Sequence, residues 1–432
     1  MASINKQIPL YPLLLINFIG TLGFSIVLPF LVFLVIDFGG NAIVYGILAA
    51  VYPAFQLVGA PILGRWSDIY GRKKVLLLSH GGTLTGWIFF LFALFLPVEN
   101  LFNINSALFG TFAITLPLLV LFFARTIEGI TGGNVSVANA YLSDVSTDEN
   151  RSKNFGKIAV ASNLGFIVGP ALAGILGATI YQEILPVMAA LFLSSITLIV
   201  ISFGLKESKS QLTVVQVPDK ESVRKVFAQE CKECYNPVNP KKLRFQDVFK
   251  LKNISFLIVL YFFIFLGFNI FYTSFPIHAV DVLKWSVTEL GIFYAVLSGI
   301  MVLVQGLVLP KALKMFSEEK LVIFGSIILG SNFILFVSND NILMYGAAIL
   351  FAVGNGLMWP SFMSILSKTS GNVYQGFIQG VTSSFGSLAS IVGLTIGGIS
   401  YNLIGESTFL ISAGIIFVVF IMSFKLLKMN LF

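Results

Sequence analysis

Charge is scarce in this chain: 11% of its 432 residues are Asp, Glu, Lys or Arg, where a soluble domain carries about 25%. With 56% hydrophobic residues beside that shortage, a water-soluble globular protein is excluded, because no soluble core absorbs so much apolar surface. Histidine is limited to His80 and His278, and cysteine to Cys231 and Cys234. A structural zinc site normally takes four ligands, and no His lies near the single Cys-x-x-Cys, so no metal is expected. Two reduced thiols in a cytoplasmic loop account for the pair; an intermolecular metal or redox site is the alternative. The phosphate-binding pattern Gly-x4-Gly-Lys-Ser/Thr is absent. With no catalytic constellation either, the chain reads as neither an enzyme nor a cofactor carrier.

What it has is apolar length. A membrane span takes about 20 mostly apolar residues, and such stretches lie near 9-36, 42-64, 75-97, 117-143, 154-177, 185-205, 254-278, 287-310, 319-338, 341-367, 374-400 and 405-428. The first is longer than the apolar core of a cleaved signal, about 7–15 residues, and is read as a retained helix. The expectation is an all-α polytopic membrane protein with twelve transmembrane helices, embedded in the lipid bilayer.

Lys and Arg accumulate on cytoplasmic loops, which tests that map. Counting alternate loops, 25 of the 27 basic residues fall on one side, so both termini are expected in the cytoplasm. The other two are Lys284, in an external loop, and Arg125, inside a span. The net charge of +7 is therefore topological. A nucleic-acid partner would need those charges on one folded surface, and here seven separate segments carry them.

One long polar stretch, 206-252, reads as a cytoplasmic linker between an N-terminal six-helix half, 1-205, and a C-terminal half, 253-432. Its end, Leu243 to Lys250, has the spacing of an amphipathic surface helix. The halves are repeats. At an offset of 224, Gly132 matches Gly356, Gly156 matches Gly380, Gly169 matches Gly393, Gly174 matches Gly398, and Leu142-Ser143 matches Leu366-Ser367. Leu22-Gly23-Phe24-Ser25-Ile26 likewise corresponds to Leu266-Gly267-Phe268-Asn269-Ile270. Six spans per half leave both halves in the same orientation, so the repeats are parallel about an axis along the membrane normal.

The loop between spans 2 and 3 reads Gly64-Arg65-Trp66-Ser67-Asp68-Ile69-Tyr70-Gly71-Arg72-Lys73-Lys74. A merely topogenic loop needs only the bases; the fixed Gly, Asp, Gly, Arg spacing is the informative part. It resembles the loop signature of the major facilitator superfamily, although Ile69 stands where a base usually follows the Asp. Span 5 carries Gly165, Gly169, Pro170 and Gly174, which resembles the antiporter motif of the superfamily's drug:proton branch, the tetracycline-efflux-like group, with Ala173 replacing one glycine. The resemblance covers nearly the whole chain. It implies a major facilitator fold, a bacterial inner-membrane location, and a monomer, since one polypeptide holds both halves. It also implies a cytoplasmic gate in which Gly64, Asp68, Gly71, Arg72 and Asp144 hold the outward-open state. Polar residues facing a central cavity would be Asn17, Asn134, Asn269, Tyr272, Asn355 and Trp359, each of which could equally join helices to one another.

Sorting all 20 acids leaves Glu128 as the one inside a span, three residues from the embedded Arg125 and so on the same helix face. An ionisable group in a span is costly and by default functional. Glu128 with Arg125 is therefore the candidate for proton coupling; a static ion pair locking span 4 is the alternative. The tetracycline-efflux branch often carries a coupling Asp on span 1, where this chain has Gly20. The resulting expectation is a secondary active transporter exporting a small amphipathic organic compound in exchange for protons. Proton-coupled uptake of a metabolite or organic anion, with Arg125 as counter-charge, is a second reading, and a non-transporting receptor or scaffold a third.

Overall fold

The computed structural model describes residues 10–27, 29–106, 110–146, 151–208 and 253–429. The expected surface helix at 243–250 and the Cys231/Cys234 pair lie outside them. Span 1 is formed by α1 (Tyr11–Ser25) and α2 (Leu31–Asp37), parted at Pro29, which lacks the N–H an unbroken helix requires. Span 2 is α3 (Ala42–Tyr70), started by Asn41, whose side-chain oxygen accepts from the Ile43 and Val44 N–H groups at 3.0 and 3.1 Å. Span 3 is α4 (Arg72–Ala93).

A hairpin follows that the sequence reading did not anticipate: β1 (Asn100–Ser106) pairs antiparallel with β2 (Gly110–Thr115), Ile104 opposite Phe112. Span 4, expected as one helix over 117-143, is two: α5 (Leu116–Ile130) and α6 (Asn134–Val145). The break is local chemistry. Thr131 turns its hydroxyl back onto the Ile127 carbonyl at 2.7 Å, and Gly132-Gly133 follow with little helix propensity. Spans 5 and 6 are α7 (Arg151–Gly177) and α8 (Ile184–Ile199).

In the second half, span 7 is α9 (Ile254–Asp281). Span 8 is α10 (Val287–Leu303), which passes through a π-helical turn into α11 (Leu309–Met315). Span 9 is α12 (Glu318–Leu335), and span 12 is α14 (Thr408–Ser423). Between them runs α13 (Asn341–Ile404), 64 residues in helical conformation. Straight, it would reach about 96 Å, three times the roughly 30 Å of bilayer hydrocarbon, and it does not run straight. Phe351 packs on Phe268, Trp359 on Tyr261, and then Gly386 again faces Tyr261 and Gly393 faces Leu266. The run descends along α9 and climbs back, supplying spans 10 and 11.

Eight segments among the described residues are long and apolar enough to cross a membrane. The count falls short of twelve because spans 1 and 4 are broken, span 9 opens on three charged residues, Glu318, Glu319 and Lys320, and spans 11 and 12 fall within one segment, Val381–Lys428.

The repeat is visible in contacts. A methyl at Gly169 would stand 2.8 Å from the Leu22 carbonyl oxygen and 3.0 Å from the Ile26 nitrogen; one at Gly393 would stand 3.0 and 3.4 Å from the same atoms of Leu266 and Ile270. Matching glycines thus seat span 5 on span 1 and span 11 on span 7. Two backbone approaches between halves are repeat mates as well. A methyl at Gly291 of span 8 would stand 2.6 Å from the Gly174 Cα, and one at Gly46 of span 2 would stand 2.7 Å from the Leu394 carbonyl oxygen and 3.0 Å from the Gly398 Cα. Both lie toward the end of the molecule that carries the hairpin.

Candidate functional site

At the opposite, basic end, Gly71 joins α3 to α4 with φ +101°, a backbone region L side chains rarely adopt. That sharp turn sets Arg72 as the first residue of α4. A base at a helix N-terminus opposes the helix dipole; here a carboxylate from beyond span 6 compensates. Glu207 accepts from the backbone N–H of Arg72 at 2.6 Å and of Lys73 at 3.2 Å. The Arg72 side chain then turns inward, donating from Nε to Asp144 Oδ2 at 2.9 Å and from Nη1 to Ser67 Oγ at 2.5 Å. Ser208 donates to the same Asp144 oxygen at 3.1 Å. Spans 2, 3, 4 and 6 are thereby tied at one point.

Of the expected gate, Arg72 and Asp144 do meet and Gly71 makes the turn. Gly64 lies within α3, where a methyl would meet nothing within 4 Å among the described residues. The Asp68 side chain lies outside the described residues. Sequence reading missed Glu207, filed under the linker, although an acid two residues after the last apolar residue of span 6 was a usable signal.

Midway through the first half, Arg125 Nη1 donates to Glu128 Oε2 at 2.8 Å, with the two residues 5% and 4% exposed. The guanidinium stands over the Phe90 ring, 5.1 Å from its centroid, a favourable cation–π placement. The Glu128 side chain lies on the bare backbone of Gly86 in span 3; any side chain at Gly86 would displace it. The Tyr52 hydroxyl accepts from Gln56 Nε2 at 3.1 Å, and the same amide nitrogen reaches the Gly132 carbonyl at 2.9 Å. Tyr52 lies within electrostatic range of both Arg125 and Glu128, and Tyr45 within range of Arg125.

The span 5 motif serves two partners. Gly165 and Gly169 lie on span 1, where Ser25 Oγ donates to the Gly165 carbonyl at 3.0 Å. One turn on, the Pro170 carbonyl and Gly174 face Gly291 of the other half. Gly169→Leu is expected to cost about 1–3 kcal/mol, the usual range for overpacking, read as a lower unfolding temperature in detergent. Gly299→Leu is its control, because nothing lies within 4 Å there among the described residues. An unchanged midpoint for Gly169→Leu would remove the close approach from the account.

The cavity candidates divide. Asn17 donates to the Leu13 carbonyl of its own helix at 3.0 Å, and Asn269 donates to the Phe265 carbonyl at 2.7 Å and to Ser390 Oγ at 3.1 Å, joining spans 7 and 11. Asn134 starts α6. Tyr272 packs on Phe351, 6.3 Å between ring centroids. Asn355 donates to Met301 Sδ at 3.3 Å, and its carbonyl oxygen is buried without a partner among the described residues. Trp359 packs on Tyr261 and Phe265 at 5.4 and 5.3 Å between centroids. His278 is bound to the Tyr401 hydroxyl at 3.0 Å, and His80 of span 3 lies beside Gly20, filling the space that a side chain at position 20 would take.

Comparison with known proteins bears on this arrangement. The family profile described as Major Facilitator Superfamily matches residues 13–393. The chain is 29% identical to the tetracycline resistance protein, class E, of Escherichia coli over 398 residues, 91% of this chain and 88% of that one. It is 26% identical to multidrug resistance protein 2 of Bacillus subtilis (strain 168) over 411 residues, 93% and 91% of the two chains. Among solved structures, a D-xylose-proton symporter superposes with TM-score 0.73 at 14% identity, covering 96% of this chain and 97% of that one. The human organic anion transporter MFSD10 gives TM-score 0.66 at 20% identity, covering 98% and 100%.

Proposed function

The chain belongs to the Major Facilitator Superfamily, and from that premise we propose that it is a secondary transporter exporting a small amphipathic organic compound in exchange for protons. Supporting this is the likeness, along nine-tenths of the chain, to relatives whose names specify tetracycline or multidrug resistance. The basic end is then the cytoplasmic face of a bacterial inner membrane, with both termini on it. The close approaches of Gly46 to Gly398 and Gly174 to Gly291 seal the outer face. The chain works as a single polypeptide and holds no metal, cofactor or nucleic acid.

The observation that carries proton coupling is the Arg125–Glu128 pair: acid and base buried together among spans 2, 3 and 4. The carboxylate is the proton carrier, and the guanidinium holds it in the ionised form until a proton arrives. Uptake of an organic anion on Arg125 is disfavoured by the same geometry, since its guanidinium already engages Glu128 and covers Phe90. Arg72, Asp144, Asp68 and Gly71 form the inner gate.

Purified protein in liposomes, with internal pH followed as tetracycline and other amphipathic compounds are added, tests the reading. Proton movement opposite to the added compound is expected. Movement in the same direction would establish uptake, and none with any compound would favour the receptor reading.

A further inference from the structure

At the end of the molecule that carries the hairpin, a cavity of about 320 Å³ straddles the seam between the halves. That is room for a small organic molecule. Its walls come from both sides of the seam: Asn41 and Tyr45 of span 2 from the first half, and Asp281 of span 7 with Tyr401 and Asn402 of span 11 from the second. Val32 of span 1 and Ile277 of span 7 add aliphatic surface. Asp281 is exposed, so the cavity is reachable from the water on that side.

The position of the cavity ties it to the closure of this end. Gly398 precedes Asn402 by one helical turn, and its own close approach is to Gly46 and to the Ala42 carbonyl of span 2. Gly110 of the hairpin rests against Asn41 and Asn402 together. Walls drawn from both halves, beside the contact that joins them, stand together only while the halves are closed here.

The chemistry of the walls selects a cation with an apolar body. Asp281 is the one charged residue among them. Lys284, three residues on, acts on that carboxylate at a distance, and no hydrogen bond or ion pair among the described residues ties it down. Two tyrosines, one from each half, offer the aromatic surface that attracts organic ammonium ions. The outer loops carry seven acids against the single base Lys284, a field that concentrates cations on this face. An anion would meet Asp281 with nothing to offset it.

We propose that this cavity is a regulatory site for a small amphipathic ammonium compound arriving from the outer side, and that the bound compound bridges the halves and holds the transporter closed at the hairpin end. A ligand that contacts both halves in one state and only one of them in the other shifts the population toward the first. The inference rests on alternating access as proposed above, and not on which compound is exported.

Benzyltrimethylammonium is the probe, permanently charged and carrying one ring. Titrated into purified full-length protein, it should bind saturably, and Asp281→Asn should weaken that binding about tenfold or more by removing the one counter-charge in the site. Glu289→Gln removes an outer acid that does not line the cavity and should leave binding unchanged; benzenesulfonate, an anion of similar size, should not bind. Nitroxide labels at Ile180→Cys and Ile342→Cys, exposed at the outer ends of opposite halves, read the outer separation by double electron–electron resonance in protein that also carries Cys231→Ser and Cys234→Ser. Two separations are expected, and saturating probe should raise the ratio of short to long by about threefold or more, with no such rise in Asp281→Asn. Absence of saturable binding, binding indifferent to Asp281, or binding that leaves the ratio unchanged or lowers it overturns the proposal. A single outer separation under every condition defeats alternating access along with it. Both readouts work without transport, so with binding and closure as stated but no proton exchange in liposomes, the site stands and the antiport reading falls.

Discussion

Glu128→Gln is expected to reduce uphill, proton-driven export to the level of protein-free liposomes while downhill exchange of the same compound persists. The substitution preserves volume and a hydrogen-bonding oxygen for Arg125 Nη1, now 2.8 Å away, and removes only the capacity to bind and release a proton. The contrast between the two modes makes the measurement decisive. A static lock on span 4 would weaken both modes together, since exchange and export use the same helices. Retained uphill accumulation in correctly inserted Glu128→Gln would remove the carboxylate from the coupling mechanism.

Arg125→Met should produce the largest loss of stability. Breaking a buried ion pair by removing one partner costs about 3–5 kcal/mol, because the other charge remains where water cannot reach it. Among the described residues Arg125 is the one hydrogen-bond partner of the Glu128 carboxylate, which lies against span 3 at Gly86. The double variant Arg125→Met with Glu128→Gln leaves no uncompensated charge and should recover most of the loss, yet stay inactive in proton-driven export. Unfolding free energies in bicelles would measure the three variants. Equal losses in the single and double variants would mean that packing against Phe90, and not the charge, is what Arg125 supplies.

Much of this arrangement was legible in the sequence because it rests on global sums. Apolar runs fix the number of spans, and the repeat announces itself through glycines spaced alike in both halves, whose shared role is to seat span 5 on span 1 and span 11 on span 7. The Arg125–Glu128 pair was legible because three-residue spacing on a helix leaves few other partners inside a membrane. Less legible was anything decided by a single turn. The break of span 4 depends on Thr131 bonding its own helix and on two following glycines, a contest that hydropathy does not register. Glu207 was hidden because its partner is a backbone N–H 135 residues earlier, and no side-chain pattern marks such a contact.

The hairpin β1–β2 also breaks the symmetry that the glycines preserve. Ala113 donates its N–H to the Gly39 carbonyl at 2.8 Å and Thr115 its hydroxyl to the Phe38 carbonyl at 2.7 Å, so the ribbon is fastened to the first half. Gly110, where β2 begins, meanwhile rests against Asn41 of that half and Asn402 of the other. The second half has no such ribbon among its described residues. Anything approaching the molecule from that side, an antibody fragment for instance, meets a face with one handle and one orientation, and a binder gripping the ribbon together with Asn402 would recognise the halves only while they are joined there.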